Sequence, residues 1–329
     1  MPAPASHPDC PVCGTAATLP PLNAYSLRAA AEHFCPPGRS PERTARMEAA
    51  IRHLWGREEA LFLRCRTCGF GYCDPYVSGD EAFYSILNES YGYSSWKWDY
   101  SFGKQELAKL PGGGRVIDIG AGSGLFLDKL GPGWEKYATE GSESTRNALR
   151  DKGIQVPPEP ALGEGSFQAF FDAVTMFQLL ELIVDFRGLL GAAWGWLKPG
   201  GLLIIAVPHA DRIVYQEQEL GCPDMPPQHP NKWTPESLSR VLHELGFEVY
   251  RVENEPISLE NLRNSLHLKT IANAQAPRSL AARVRGVGSR PLRIALMGLL
   301  SAWYLLRYAP QLRAFFTGRH FALAARKPA

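Results

Sequence analysis

From residue 261 to the C-terminus the chain has no aspartate and no glutamate, yet it carries twelve lysines and arginines there. The formal net charge of +2 over 329 residues therefore hides an asymmetry, because the first 260 residues hold 33 acidic against 23 basic side chains. Basicity is a property of the tail. Also missing is a continuous apolar run of about 20 residues, the length a helix needs to cross a bilayer. The candidate in the tail, IALMGLLSAWYLL (294–306), has thirteen residues between Arg293 and Arg307, about 20 Å as a helix. Two readings stay open for residues 280–316. The apolar run lies in an anionic membrane interface with its arginines on headgroups, or it is a helix buried against the protein with a solvated basic edge. The first residues, MPAPASHPDCPVCG, lack the basic start and apolar core of a secretory signal. The protein is thus expected in the cytoplasm, or peripherally at the inner face of the membrane. Repeats and low-complexity tracts are absent, and 45% hydrophobic content suits a globular chain with a sizeable core.

What is present centres on VIDIGAGSG (116–124), an apolar run ending in an acid and then Gly120, Gly122 and Gly124 at alternate positions. Glycines allow a tight strand-to-helix turn and a close ligand approach, and a helix opening near Ser123 would aim free N–H groups into the same cleft. An acid about 20 positions on is expected where a ribose is held, and Glu140 closes WEKYATE. A dinucleotide loop reads G-x-G-x-x-G, whereas here the spacing is D-x-G-x-G-x-G with Asp118 still on the strand. That carboxylate would repel a pyrophosphate and attract the ammonium of an amino acid, which favours S-adenosylmethionine (SAM).

Loop and downstream segments resemble the class I SAM-dependent methyltransferases. FDAVTMFQLLELIVDF (171–186) is similar to that family's fourth strand and the segment after it, LKPGGLLIIAVP (197–208) to its fifth strand, HPNKWTPESLSRVLHELGFEV (229–249) to its next helix and sixth strand, and FALAARKP (321–328) to its closing strand. The family's usual His after the glutamate is Leu182 here. The resemblance implies an α/β, Rossmann-like, seven-stranded sheet, mostly parallel with the last strand antiparallel. It also implies SAM held by Asp118, Gly120, Gly122, Gly124 and Glu140, with Phe177 and Gln178 next in line. Asp118 would serve the amino end of the cofactor and Glu140 its ribose hydroxyls.

Cys10-Pro-Val-Cys13-Gly and Cys65-Arg-Thr-Cys68-Gly are two knuckles that each turn two thiolates toward one point, together a closed structural Zn²⁺ site. The 51 residues between Cys13 and Cys65 exceed ordinary ribbon spacing, so an insertion is expected, with PERTARMEAAIRHLW (41–55) as a helix in it. A redox pair would need one C-x-x-C beside a βαβ unit, and neither knuckle lies there. Cys35, Cys73 and Cys222 are expected as spare thiols. LFLRCRTCGFGYCDP and the aromatic stretch after it resemble a methyltransferase subgroup in which a zinc ribbon precedes the catalytic domain, several members of which modify sugars, polysaccharide precursors or other small metabolites. Tyr91 and Tyr93 are read either as a cap over the cleft or as packing.

The expected layout is a ribbon over residues 1–75, an aromatic connector over 76–110 and a methyltransferase domain over 111–329, with a basic apolar helical insertion at about 278–318. Strands RVIDI, KYAT, one near Ile154, FDAVTM, LLIIAV and FEVYRVE alternate with helical segments, the first running through Leu130. A hydroxyl acceptor needs a general base, and His229, His209 and Glu181 are candidates. The leading expectation is a methyltransferase acting on a sugar, polysaccharide precursor or lipid-linked intermediate. RNA methylation is the alternative, although MFQLLE replaces the N/D-P-P-Y/F turn that clasps an exocyclic amine, so nucleic acid is not expected as a partner. A non-catalytic zinc- and SAM-binding scaffold is the third.

Overall fold

A computed structural model describes residues 8–16, 21–38, 40–89, 96–110, 112–158, 167–212, 225–256, 279–307 and 318–329. Tyr91, Tyr93 and Cys222 lie outside the described residues, as do 308–316 of the arginine-flanked tail. The chain divides into two compact units, Met1–Pro208 with Met225–Glu253 and His320–Ala329, and His209–Asp224 with Asn254–Arg319.

In the first unit, strands β4 (Gly114–Ile119), β5 (Trp134–Thr139), β6 (Phe171–Phe177), β7 (Leu197–Pro208), β9 (Glu248–Asn254) and β10 (His320–Arg326) form one sheet in the order β5-β4-β6-β7-β10-β9. β4 runs parallel to β5 and β6, and β6 to β7, while β10 is antiparallel to β7. The expected α/β architecture is therefore present. Strand residues divide between two cores with a period of two. Ile117, Val174, Leu203, Ile205 and Leu323 enter one layer, and Val116, Ala173, Leu202, Ile204 and Ala324 the other. Both faces must be covered for such continuous apolar strands to be stable. The covering helices include α4 (Trp98–Leu107), α6 (Glu143–Asp151), α7 (Phe186–Trp196) and α8 (Pro235–Glu244).

Two expectations shift. The strand near Ile154 is a single parallel bridge between Tyr137 and Gln155, so the described sheet has six strands. Pro157 and Pro158 follow immediately and offer no N–H for a ladder. The helix after the glycine loop, α5, is only Leu125–Asp128, because Gly131-Pro132-Gly133 stops the chain from continuing it.

The N-terminal region of the same unit is a four-stranded antiparallel sheet of β1 (Asn23–Ser26), β2 (Glu59–Arg64), β3 (Gly71–Asp74) and β8 (Asn231–Lys232). Between the knuckles lie helices α1 (Leu27–Phe34) and α2 (Pro41–Trp55). Ser40 accepts the Arg43 N–H, Pro41 opens α2, and Gly56 at φ 62° closes it. Thr44, Met47, Ile51 and Trp55 form its buried stripe. Helix α3 (Glu81–Asn88), capped by Asp80, leads toward α4.

This sheet is fused to the larger one through a shared core. Trp233 is fully buried, with ring centroids 4.6 Å from Phe70 and 4.9 Å from Phe186. The second unit contains α9 (Leu280–Arg285) and α10 (Arg290–Arg307), whose Leu300 and Tyr304 pack on Ala281 and Val284.

Candidate active site and metal centre

The glycine loop joins the carboxyl ends of the two parallel strands β4 and β5. Gly120, Gly122 and Gly124 all lie in the left-handed region, at φ 72°, 53° and 74°, where a Cβ is disfavoured. Space is short as well, since a Cβ on Gly124 would come within 2.6 Å of Leu149 Cδ2. Gly120 and Ala121 each donate to the Thr139 carbonyl at 3.1 Å. Glu140 then holds the loop from β5, its carboxylate accepting the Gly122 N–H at 2.8 Å and the Gly141 N–H at 2.9 Å. The 20-residue spacing read from the sequence thus brings loop and acid into direct contact.

Asp118 sits beneath the loop, 2% exposed, and accepts the Thr175 hydroxyl at 2.7 Å. Burial pushes its carboxyl up to about 7; the Thr175 bond opposes this and repulsion from Glu140 adds to it. Because α5 is one turn long, few aligned peptide dipoles face the cleft, and the charge at this site comes from carboxylates rather than from a helix terminus.

The neighbouring parallel strand β6 delivers Phe177 and Gln178 to the same end of the sheet. Phe177 is buried against Tyr100 and Phe126, with centroids 5.1 and 4.7 Å away. Gln178 is a non-glycine residue at φ 56°. Its N–H donates to the Ala206 carbonyl and its Nε2 to Asp99, both at 2.8 Å. Thr175, Asp99 and Tyr100 are the contacts that sequence reading missed. A threonine in a strand carries no motif, and Asp99 and Tyr100 lie in an aromatic stretch read as a cap or as packing.

The three candidate bases come from three separate segments, Glu181 and His229 in the first unit and His209 in the second. Glu181, 2% exposed, lies beyond β6, and its carbonyl accepts the Asn231 N–H at 3.2 Å. Burial and the Glu181 charge together push the Tyr84 hydroxyl of α3 up, and just before α3 the Ser78 hydroxyl donates to the Leu182 carbonyl at 2.7 Å. His229 is held by its backbone between Met225 and Cys73, beside the N-terminal sheet. His209 belongs to the second unit, where its N–H donates to the Arg319 carbonyl at 3.0 Å and its Nδ1 accepts the Asp211 N–H at 3.3 Å.

Residues 100–252 match the family model of a methyltransferase domain, which covers the glycine loop, Glu140 and the end of β6. This part of the chain is a SAM-dependent methyltransferase domain. Trans-aconitate 2-methyltransferase of Deinococcus radiodurans is 29% identical to this chain over 97 residues, which span 29% of this chain and 38% of that relative's length. Among solved structures, a SAM-dependent methyltransferase from Archaeoglobus fulgidus is similar at 18% identity and TM-score 0.46, covering 74% of this chain and 100% of that one. Phosphoethanolamine N-methyltransferase 2 of Haemonchus contortus, in complex with SAM, gives 17% identity and TM-score 0.42, covering 70% of this chain and 53% of that one.

Packed against the methyltransferase domain, the two knuckles close on each other. Cys10 Sγ lies 3.6 Å from Cys68 Sγ, Cys13 Sγ lies 3.4 Å from Cys65 Sγ, and all four sulfurs fall within 4.8 Å. Tetrahedral zinc with Zn–S of about 2.3 Å needs sulfurs about 3.8 Å apart, so the donor set fits that ion with shifts of about 1 Å or less. Each knuckle is shaped by its own turn. Gly14 N–H donates to Cys10 and Gly69 N–H to Cys65, at 2.8 and 3.0 Å. Arg187 of α7 also donates to the Val12 carbonyl at 2.6 Å, tying the first knuckle to the methyltransferase domain.

Proposed function

We propose that the protein transfers the methyl group of SAM to a small-molecule acceptor, namely a sugar, a polysaccharide precursor or a lipid-linked intermediate. The observation that carries the cofactor assignment is the contact between Glu140 and the Gly122 N–H, with buried Asp118 directly below. Asp118, the three glycines, Glu140, Phe177 and Gln178 would bind the donor. Bound SAM supplies an activated methyl group on a sulfonium. The chain's own task is to hold the acceptor in line with that group and to take a proton from a hydroxyl. Of Glu181, His229 and His209, Glu181 fits the proton-accepting role best, because it follows β6 by four residues and stands beside α3. The small acid in the Deinococcus radiodurans enzyme's name accords with a small acceptor here.

Cys10, Cys13, Cys65 and Cys68 are assigned to one structural Zn²⁺, since four thiolates leave no ligand position open for chemistry. The lipid-linked reading draws on α10. Leu292, Leu299, Trp303 and Leu306 are 49 to 80% exposed and share one helical face by their spacing. Arg283, Arg285, Arg290, Arg293 and Arg307 accompany them, a pairing of apolar surface and positive charge that suits an anionic membrane. No helix among the described residues is long and apolar enough to cross one.

The test is incubation of the purified protein with methyl-labelled SAM and fractionated extract. Label in a soluble metabolite or lipid supports the proposal. Label confined to nucleic acid favours RNA methylation, and SAM binding with no label transferred favours the scaffold.

A further inference from the structure

Asp99 has no part in the cofactor set described above, yet its surroundings are unusual for a carboxylate. It lies in the first turn of α4 and is 1% exposed. Its Oδ2 accepts the Gln178 amide at 2.8 Å, whereas Oδ1 has no hydrogen-bond partner. The facing basic group is His320 at the start of β10, whose Nδ1 stands 4.0 Å from Oδ1, beyond hydrogen-bond reach. A buried carboxylate oxygen left unsatisfied costs more than a neutral polar atom would, so a structure that retains one is poised for a cationic partner.

The place of Asp99 says which partner. Gln178, which anchors it, follows β6 at the same sheet end as the glycine loop, held left-handed at φ 56° by its bond to Ala206. Tyr100, the next residue, stacks edge-on against Phe177. Its phenol is pushed up to about 12, first by burial and then by repulsion from Asp118 and Asp99. In sheet order, Glu140 stands at β5, Asp118 at β4 and the Gln178–Asp99 pair at β6. A ligand whose ribose sits on Glu140 and whose amino-acid part crosses the loop next runs toward β6. SAM brings two positive charges along that part of the molecule, the sulfonium and the α-ammonium.

We propose that the free oxygen of Asp99 is an anionic contact for one of these two charges, with Gln178 as the residue that positions it. The proposal rests on the methyltransferase reading and is tested apart from catalysis, by calorimetric titration of wild type and Asp99→Asn with three ligands. SAM carries both charges, S-adenosylhomocysteine only the ammonium, and 5′-methylthioadenosine neither. The variant should bind SAM about 10- to 100-fold more weakly, the range for losing a hydrogen bond to a charged partner. Unchanged S-adenosylhomocysteine affinity assigns the sulfonium; an equal loss with unchanged methylthioadenosine affinity assigns the ammonium. Wild-type affinity of the variant for both SAM and S-adenosylhomocysteine overturns the proposal, as does an equal loss for all three ligands. If wild type itself binds none of them, the methyltransferase reading fails first. Should the variant not fold, the wild-type Asp99 carboxyl ¹³C resonance carries the test. It should move on adding SAM and stay still on adding methylthioadenosine, and a still resonance with bound SAM refutes the contact.

Discussion

The cysteine cluster and the glycine loop sit in the same compact unit, and both bring distant residues to one point, but they do so by opposite means. The knuckles converge four soft ligands whose mutual repulsion as thiolates a bound cation would offset, and on the zinc assignment their order depends on that ion. The loop is already tied down without a ligand, by Thr139 and Glu140 on the neighbouring strand. The first region should therefore lose its structure when its ligand leaves, and the second should lose its ligand while keeping its structure.

Metal removal probes the contrast most strongly. Native protein should contain one zinc per chain by elemental analysis, and Cys65→Ser should lose it and melt at a much lower temperature, because structural zinc contributes its binding free energy to folding. Full zinc retention in that variant, or none in the native protein, refutes the assignment. Gly122→Val should come next, abolishing SAM binding in calorimetry, since φ 53° and close ligand approach both exclude a branched side chain. Asp118→Ala and Glu140→Ala should each weaken SAM binding by about 1 to 3 kcal/mol, with the fold retained in circular dichroism. If either melts out as Cys65→Ser does, the contrast between the two regions is lost.

Proton coupling sharpens the comparison further. With its carboxyl near 7 against an ordinary 3.8, Asp118 favours the free fold when protonated, and that contribution fades as pH rises from about 4 through about 7. A cationic ligand reverses the preference, so SAM affinity should rise between pH 6 and pH 8, changing by less than tenfold, and Asp118→Asn should flatten the rise. A flat wild-type profile places the ligand's charge away from Asp118. In the second unit, the smallest effect is expected with vesicles. The intact protein should pellet with anionic vesicles and release as salt rises, since charge attraction is screened within about 10 Å at 0.1 M. Deleting residues 280–316 should abolish pelleting and spare SAM binding. Absence of pelleting even at low salt favours an acceptor in solution.

Local requirements were readable in the sequence, and chance meetings of distant segments were not. Gly120, Gly122, Gly124 and Glu140 were visible because the turn demands glycine and the acid sits at a fixed distance along a parallel pair. The α2 bounds were visible in the helical periodicity of residues 41–55 after Pro41; the cap at Ser40 and the stop at Gly56 came with the structure. The strand near Ile154 was overread, because its apolar content suggested a ladder that Pro157 and Pro158 cannot extend. β8 is two residues long and joins a sheet whose other strands end at Asp74, a pairing no local pattern encodes. Asp99 meets Gln178 across 79 residues of chain, and nothing around either residue announces the bond.

Calorimetric titration of the intact protein with SAM tests the central claim most directly, run beside Glu140→Ala. One site per chain, weakened about 10- to 100-fold in the variant, is the predicted result. No heat of binding in the wild type, or equal affinity in the two proteins, would contradict the assignment of the glycine loop to the methyl donor.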